Sequence, residues 1–223
     1  MKKILIAAIS LFASVSLFAG EVNQYSGPYV GLHMGYAKGD FKGTDYFQGT
    51  EGGSYSYSPS KYLLGGLIGY NKIVANNFLL GIEADYENRN AEASGQVLDE
   101  LLNSSGTVQT KVQKASSLRL RVGKIFNQDK TLAYLTAGYG AVDIKSNFII
   151  VEIPFSKSGW QSGYTVGFGL EHLLSDKVSI KTEYRFSDYG KKEIDPGLVL
   201  PDALERTKYE NENSVRLGLM YHF

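Results

Sequence analysis

The chain has 223 residues, no cysteine, and 23 basic against 23 acidic side chains. That excludes a disulfide framework or thiolate metal centre and leaves no electrostatic footprint for nucleic acid. Sixteen tyrosines and 25 glycines stand beside five prolines, and past the N-terminal segment no apolar run approaches the ~18 residues of a membrane-spanning helix.

Lys2 and Lys3 precede an apolar run from Ile4 to Phe18, and small residues follow at Ala19 and Gly20. This is the layout of a cleaved secretory signal peptide over residues 1–19; the run is short for an uncleaved anchor, although Leu17 is large for its place before the cut. Without Lys2 and Lys3 the mature chain carries 21 basic and 23 acidic side chains. Residues 20–28 then form a short periplasmic segment, and 29–223 a single domain without a Pro/Ser-rich linker.

Alternation of apolar and mixed residues predicts eight strands over 29–38, 61–71, 78–87, 114–126, 132–141, 161–172, 178–187 and 212–223. In the third, Phe78, Leu80, Ile82, Ala84 and Tyr86 oppose Gly81, Glu83, Asp85 and Glu87. The fourth sets Leu118, Leu120 and Val122 against Arg119, Arg121 and Gly123, and the seventh sets Ile180, Thr182, Tyr184 and Phe186 against Lys181, Glu183 and Arg185. The last runs from Val215 to Phe223 with every odd position apolar, about the ~9–11 residues in which a tilted strand crosses a bilayer.

The connections alternate in length. Residues 39–60, 88–113, 142–160 and 188–211 are long, whereas 72–77, 127–131 and 173–177 are short. Four long extracellular loops and three short periplasmic turns joining an even number of antiparallel strands describe an eight-stranded transmembrane β-barrel in an outer membrane. A soluble sandwich has no reason to lengthen every second connection.

The mixed faces then point into the lumen. They carry Glu83, Asp85, Glu87, Glu171 and Glu183 against Arg119, Arg121, Lys181, Arg185 and Arg216. Eight strands enclose a lumen that side chains can fill, and ions buried there must be paired. The pattern predicts a salt-bridged core that Arg121→Ala would weaken; a proton path or an acid/base pair is the functional alternative.

Residues 25–36, Tyr-Ser-Gly-Pro-Tyr-Val-Gly-Leu-His-Met-Gly-Tyr, resemble the opening strand of the small outer-membrane β-barrel family, which includes alphaproteobacterial surface antigens, hemin-binding proteins and opacity-type porins. Glu183 to Gly190 and Val215 to Phe223 look like its closing strand pair, and Gly66 to Asn71, Leu80 to Glu83 and Gly167 to Glu171 fit its intermediate strands. The resemblance implies insertion by the barrel-assembly machinery, with Tyr221 and the terminal Phe223 as its recognition signal. It also implies contact with outer-membrane lipid and lipopolysaccharide.

No enzyme signature accompanies it. A lipid A deacylase of this size resembles a His-x-Ser pair, and none follows His33, His172 or His222. Those histidines fall in the lumen or near the periplasmic rim, so hemin would have to be held by loop tyrosines such as Tyr46, Tyr55 and Tyr57. No other cofactor and no metal is expected. Two stretches are apolar for loops: Phe148, Ile149, Ile150, Val151, Ile153 and Phe155 in one, and 194–201 in the other. Either they pack over the barrel mouth, or they form a contact patch for a host or envelope surface. Residues 97–102 suit a helical turn. The expected role is a scaffold presenting surface loops for envelope integrity, surface interaction or adhesion; a narrow porin and a hemin-binding surface protein are the alternatives.

Overall fold

A computed structural model describes the backbone of residues 24–47, 50–58, 60–74, 77–99, 104–150, 153–194 and 203–223, and the side chains of 24–40, 58, 60–74, 77–89, 111–145, 158–190 and 211–223. The expected signal peptide lies outside the described residues. The strands are β1 (Gly27–Phe47), β2 (Thr50–Tyr57), β3 (Ser60–Ile73), β4 (Phe78–Asp99), β5 (Ser104–Phe126), β6 (Thr131–Ile150), β7 (Ile153–Leu173), β8 (Val178–Asp188), β9 (Lys191–Ile194) and β10 (Ala203–His222).

These ten segments build eight staves. β2 and β3 pair with successive stretches of β1, and β9 and β8 with successive stretches of β10, so each couple is one interrupted stave. Every neighbouring pair is antiparallel, and β1 against β10 closes the barrel.

The register sets the barrel's dimensions. The residues opposite one another starting from Tyr29 are Gly69, Glu83, Arg119, Gly138, Thr165, Ser187 and Glu212, and the path returns to β1 at Gly39, ten positions on. Ten residues at ~3.3 Å, set against eight strand spacings of ~4.8 Å, give a tilt of about 40° and a backbone cylinder about 16 Å across. Side chains fill such a cylinder.

Alternation holds on every stave. Leu32, Leu64, Leu120, Leu135, Phe168 and Leu219 are exposed on the outer wall, while His33, Glu83, Arg119, Thr165, Glu183 and Arg216 are buried. Aromatic residues ring both ends of the outer wall: Tyr36, Tyr62, Tyr86, Tyr139, Tyr164 and Trp160 on the side of the long connections, Tyr70, Phe78, Phe126, Tyr221 and Phe223 on the side of the turns. This is the interfacial girdle of an outer-membrane barrel, whose tight turns face the periplasm. Two of those turns use the left-handed conformation, at Asn77 (φ 62°) in one and at Asn127 (56°), Gln128 (53°) and Asp129 (65°) in the other, Asn and Asp being the side chains that accept it most readily.

The long connections are mostly strand. β4 to β7 are 20 to 23 residues long, about twice what crosses the hydrocarbon, so roughly ten residues of each rise about 25 Å beyond it. Outside lipid no side chain needs to alternate, yet backbone groups still pair. Val97 to Asp99, expected in a helical turn, are strand residues paired with Gly106 to Ser104; 100–103 lie outside the described residues.

Above the girdle the ladders divide, although β2 still runs alongside β4. The β3–β4 ladder ends at Leu64 with Asn88, and the β7–β8 ladder at Tyr164 with Asp188. Beyond these points the ladders join β2, β1, β10 and β9 into one four-stranded blade, and β4, β5, β6 and β7 into another. Irregularities at Gly39/Phe41, Asn88/Ala91 and Val112/Lys114 lie at the level of the split, where bulges bend strands apart. Gln161 bridges the foot of one seam, its amide donating to the carbonyls of Tyr189 (3.0 Å) and Gly190 (2.6 Å).

Candidate functional site

The lumen is layered. At the periplasmic end Tyr25, Leu79, Ile125, Leu132, Tyr134 and Leu173 pack together. Tyr25 belongs to the expected periplasmic segment but is fully buried inside the barrel, its hydroxyl donating to the carbonyls of Lys130 (2.9 Å) and Glu171 (3.0 Å). Burial, and then the negative Glu171, push its phenol above the usual range against the pull of Arg121. At the other end Val112, Ala115, Val142, Ile144 and Tyr189 form a second apolar layer. Burial and Glu212 likewise raise the Tyr189 phenol, opposed by Arg89.

Between the layers lies an ionic column. The ten charged residues read from the alternation are all buried, and Arg89 and Glu212 join them. Among the described residues this makes six carboxylates and six cations in the lumen. Arg89 binds Glu212 and reaches Glu87 at 2.7 Å. Glu87 also accepts from Arg216 (2.8 Å) and His33 (3.1 Å). Arg185 joins Asp85 and Glu183, both at 2.8 Å. Arg119 spreads its guanidinium over Glu83, Asp85 (3.0 Å) and Glu183 (2.6 Å). Glu83 further holds Lys181 at 2.6 Å and the Tyr29 hydroxyl at 2.8 Å.

Arg121 and Glu171 form the lowest tier. Glu171 binds Arg121 and accepts from Ser179 (2.5 Å), with His222 at 3.0 Å. Arg121 sits 3.9 Å from the centre of the Tyr134 ring and 5.8 Å from that of Tyr29, a cation over aromatic faces. Each tyrosine is opposite a glycine on the next strand, Tyr29 with Gly69 and Tyr134 with Gly169. A Cβ on Gly69 would lie 2.3 Å from the Tyr29 ring, so glycine is what lets the ring lie flat on the wall. A lumen void between Lys181, Arg185, Arg216 and His33 measures about 10 Å³, room for about one water.

Buried ions this densely bonded are positioned to hold staves together. Ser179, His222 and Glu171 resemble a hydrolytic triad by composition, but Ser179 and Glu171 both approach the same His222 nitrogen, Nε2. A triad needs the acid and the nucleophile on opposite ring nitrogens.

Tyr221 and Phe223 are exposed at the periplasmic end of β10, their rings edge to face at 5.2 Å. The segment read as an apolar loop is a hairpin end. Phe148 pairs with Phe155, Ile149 with Pro154 and Ile150 with Ile153; Val151, like residues 195–202 of the last connection, lies outside the described residues. The structure therefore brings the ten lumen charges together and sets the 148–155 segment apart, at the tip of the β4–β7 blade. Arg89, buried two places beyond Glu87, continues the inward alternation past the membrane.

The chain matches the model of the outer membrane protein beta-barrel domain over residues 5–223. It is 26% identical over 247 residues to the 31 kDa outer-membrane immunogenic protein of Brucella melitensis, covering all of both chains. It is 30% identical over 202 residues to the 25 kDa outer-membrane immunogenic protein of Brucella abortus, covering 90% of this chain and 81% of the relative. The crystal structure of the outer membrane protein OprG from Pseudomonas aeruginosa superposes with a TM-score of 0.56 at 14% identity, over 89% of this chain and 97% of that one. The girdles, the closed eight-stave wall and these matches identify the chain as a member of the outer membrane β-barrel family, resident in the outer membrane of a Gram-negative bacterium.

Proposed function

We propose that the barrel is a non-conducting anchor and that the protein's work is done by the two blades it holds above the membrane. The plugged lumen carries this reading: among the described residues, apolar layers above and below a paired ionic column leave no continuous aqueous path. Purified protein in planar bilayers is expected to give no stable single-channel steps; reproducible steps would favour the narrow porin instead.

The blades then serve surface contact, with a host or envelope surface as partner, and the tip of the β6–β7 hairpin as the contact. The relatives from Brucella are named as immunogenic, which suits surface display. Replacing the apolar residues of 148–155 by serine and threonine is expected to reduce adherence of expressing cells with barrel assembly unchanged; equal adherence would remove the patch from the account. In this reading the protein is not an enzyme. It works without a cofactor in this reading: His33 and His222 are engaged in the lumen by Glu87 and Glu171 and His172 bonds Thr131 at the periplasmic rim, while the side chains of the candidate hemin ligands Tyr46, Tyr55 and Tyr57 lie outside the described residues. The terminal pair Tyr221 and Phe223 serves recognition by the barrel-assembly machinery, and the outer wall contacts lipid and lipopolysaccharide.

A further inference from the structure

A groove of about 740 Å³ runs across the outer wall from Phe78 on β4 to Val215 on β10. One side is formed by a row of outward residues in register, Lys124, Ala133, Leu170 and Thr182, and the other by the next row, Val122, Leu135, Phe168 and Tyr184. The groove opens because Ala133 and Thr182 are short where Leu135, Phe168 and Tyr184 are tall. Phe168 and Tyr184 brace each other with rings 5.4 Å apart. Five strand spacings of ~4.8 Å make the trough about 24 Å long, longer than the ~15 Å of hydrocarbon that one acyl chain covers.

Its periplasmic end carries a charge. Lys124 lies two residues from the β5–β6 turn, exposed on the outer wall, with its ammonium 5.3 Å from the centre of the Phe78 ring. No carboxylate pairs with it among the described residues. The nearby turn acids are engaged otherwise, Asp129 by Asn77 and Asp176 by Gln24, each at 3.0 Å. A lysine on a lipid-facing wall extends its ammonium to the headgroup level, and at this end of the barrel that level belongs to the phospholipid leaflet. Lipopolysaccharide phosphates face the opposite rim.

We propose that this groove is a binding site for one anionic phospholipid of the periplasmic leaflet, with an acyl chain in the trough and the phosphate on Lys124. The apolar lining selects a hydrocarbon chain, and the unpaired cation at its mouth selects the sign of the headgroup.

The test is native mass spectrometry of the full-length protein in detergent, with phosphatidylglycerol and phosphatidylethanolamine of matched palmitoyl chains. Wild type is expected to hold one phosphatidylglycerol with an affinity about fivefold above that for phosphatidylethanolamine, the effect of one lysine near an anionic headgroup. Lys124→Gln should abolish the preference while an acyl-bearing adduct persists. Ala133→Trp should remove both adducts, and Thr182→Phe does the same from the other strand should the first variant fail to fold. Equal affinities in wild type, a preference surviving Lys124→Gln, or adducts undiminished by a filled groove would overturn the site.

Discussion

Replacing Arg119 by alanine is expected to lower the stability of the barrel by about 3–5 kcal/mol, the cost of removing one partner from a buried ionic group. The guanidinium binds Glu83, Asp85 and Glu183 at once, so its loss leaves six lumen carboxylates facing five cations. Arg121→Ala should fall at the lower end of that range, because Glu171 keeps Ser179 and His222. Adding Glu83→Gln to Arg119→Met restores the balance of charge and should recover part of the loss. Urea unfolding in micelles, followed by heat-modifiable gel mobility, measures all three. An Arg119→Ala variant within about 1 kcal/mol of wild type would mean that the column does not hold the staves together.

A valine at position 69 is expected to cost about 3 kcal/mol, at the upper end for overpacking. The three atoms nearest a Cβ there all belong to the Tyr29 side chain. The ring would have to leave the wall, losing its bond to Glu83 at 2.8 Å and its place beside Arg121. The double variant Gly69→Val/Tyr29→Ala should be less destabilised than the sum of the singles by about 1–2 kcal/mol, since one change removes the clash the other creates. Strict additivity in the same unfolding assay would show that the glycine serves something other than the tyrosine.

The membrane-embedded part of this fold is written in the sequence with unusual directness, because lipid on one side and a packed lumen on the other force every second residue to differ. Glu83 and Arg119 could be set inside, and Leu120 and Phe168 outside, from parity alone. Legibility ends where the lipid ends. Residues 88 to 113 carry polar groups at both parities and read as loop, although the backbone of 88–99 and 104–113 continues the β4–β5 ladder. For the same reason parity within the membrane does not reach Arg89, two residues past Glu87, or its partner Glu212 at the edge of the final strand. Tyr25 was missed differently: it precedes the first strand and reaches the lumen by folding under the rim, a tertiary contact that no local pattern announces. The lipid-facing groove could not be read either, since it arises from short side chains on β6 and β8, brought level only by the register.

The closing seam has a consequence for how the molecule is made. Tyr29 and His222 are partners 193 positions apart, and contacts of such separation are the slowest to form because the intervening loop must be closed first. The hairpins β4–β5 and β6–β7 can zip locally and early, whereas the wall becomes edgeless only when the final stave arrives. A nascent chain stopped short of β10 would keep two unpaired edges, which lipid does not tolerate. Sealing therefore depends on β10: until its pairing with β1 forms, the wall cannot close.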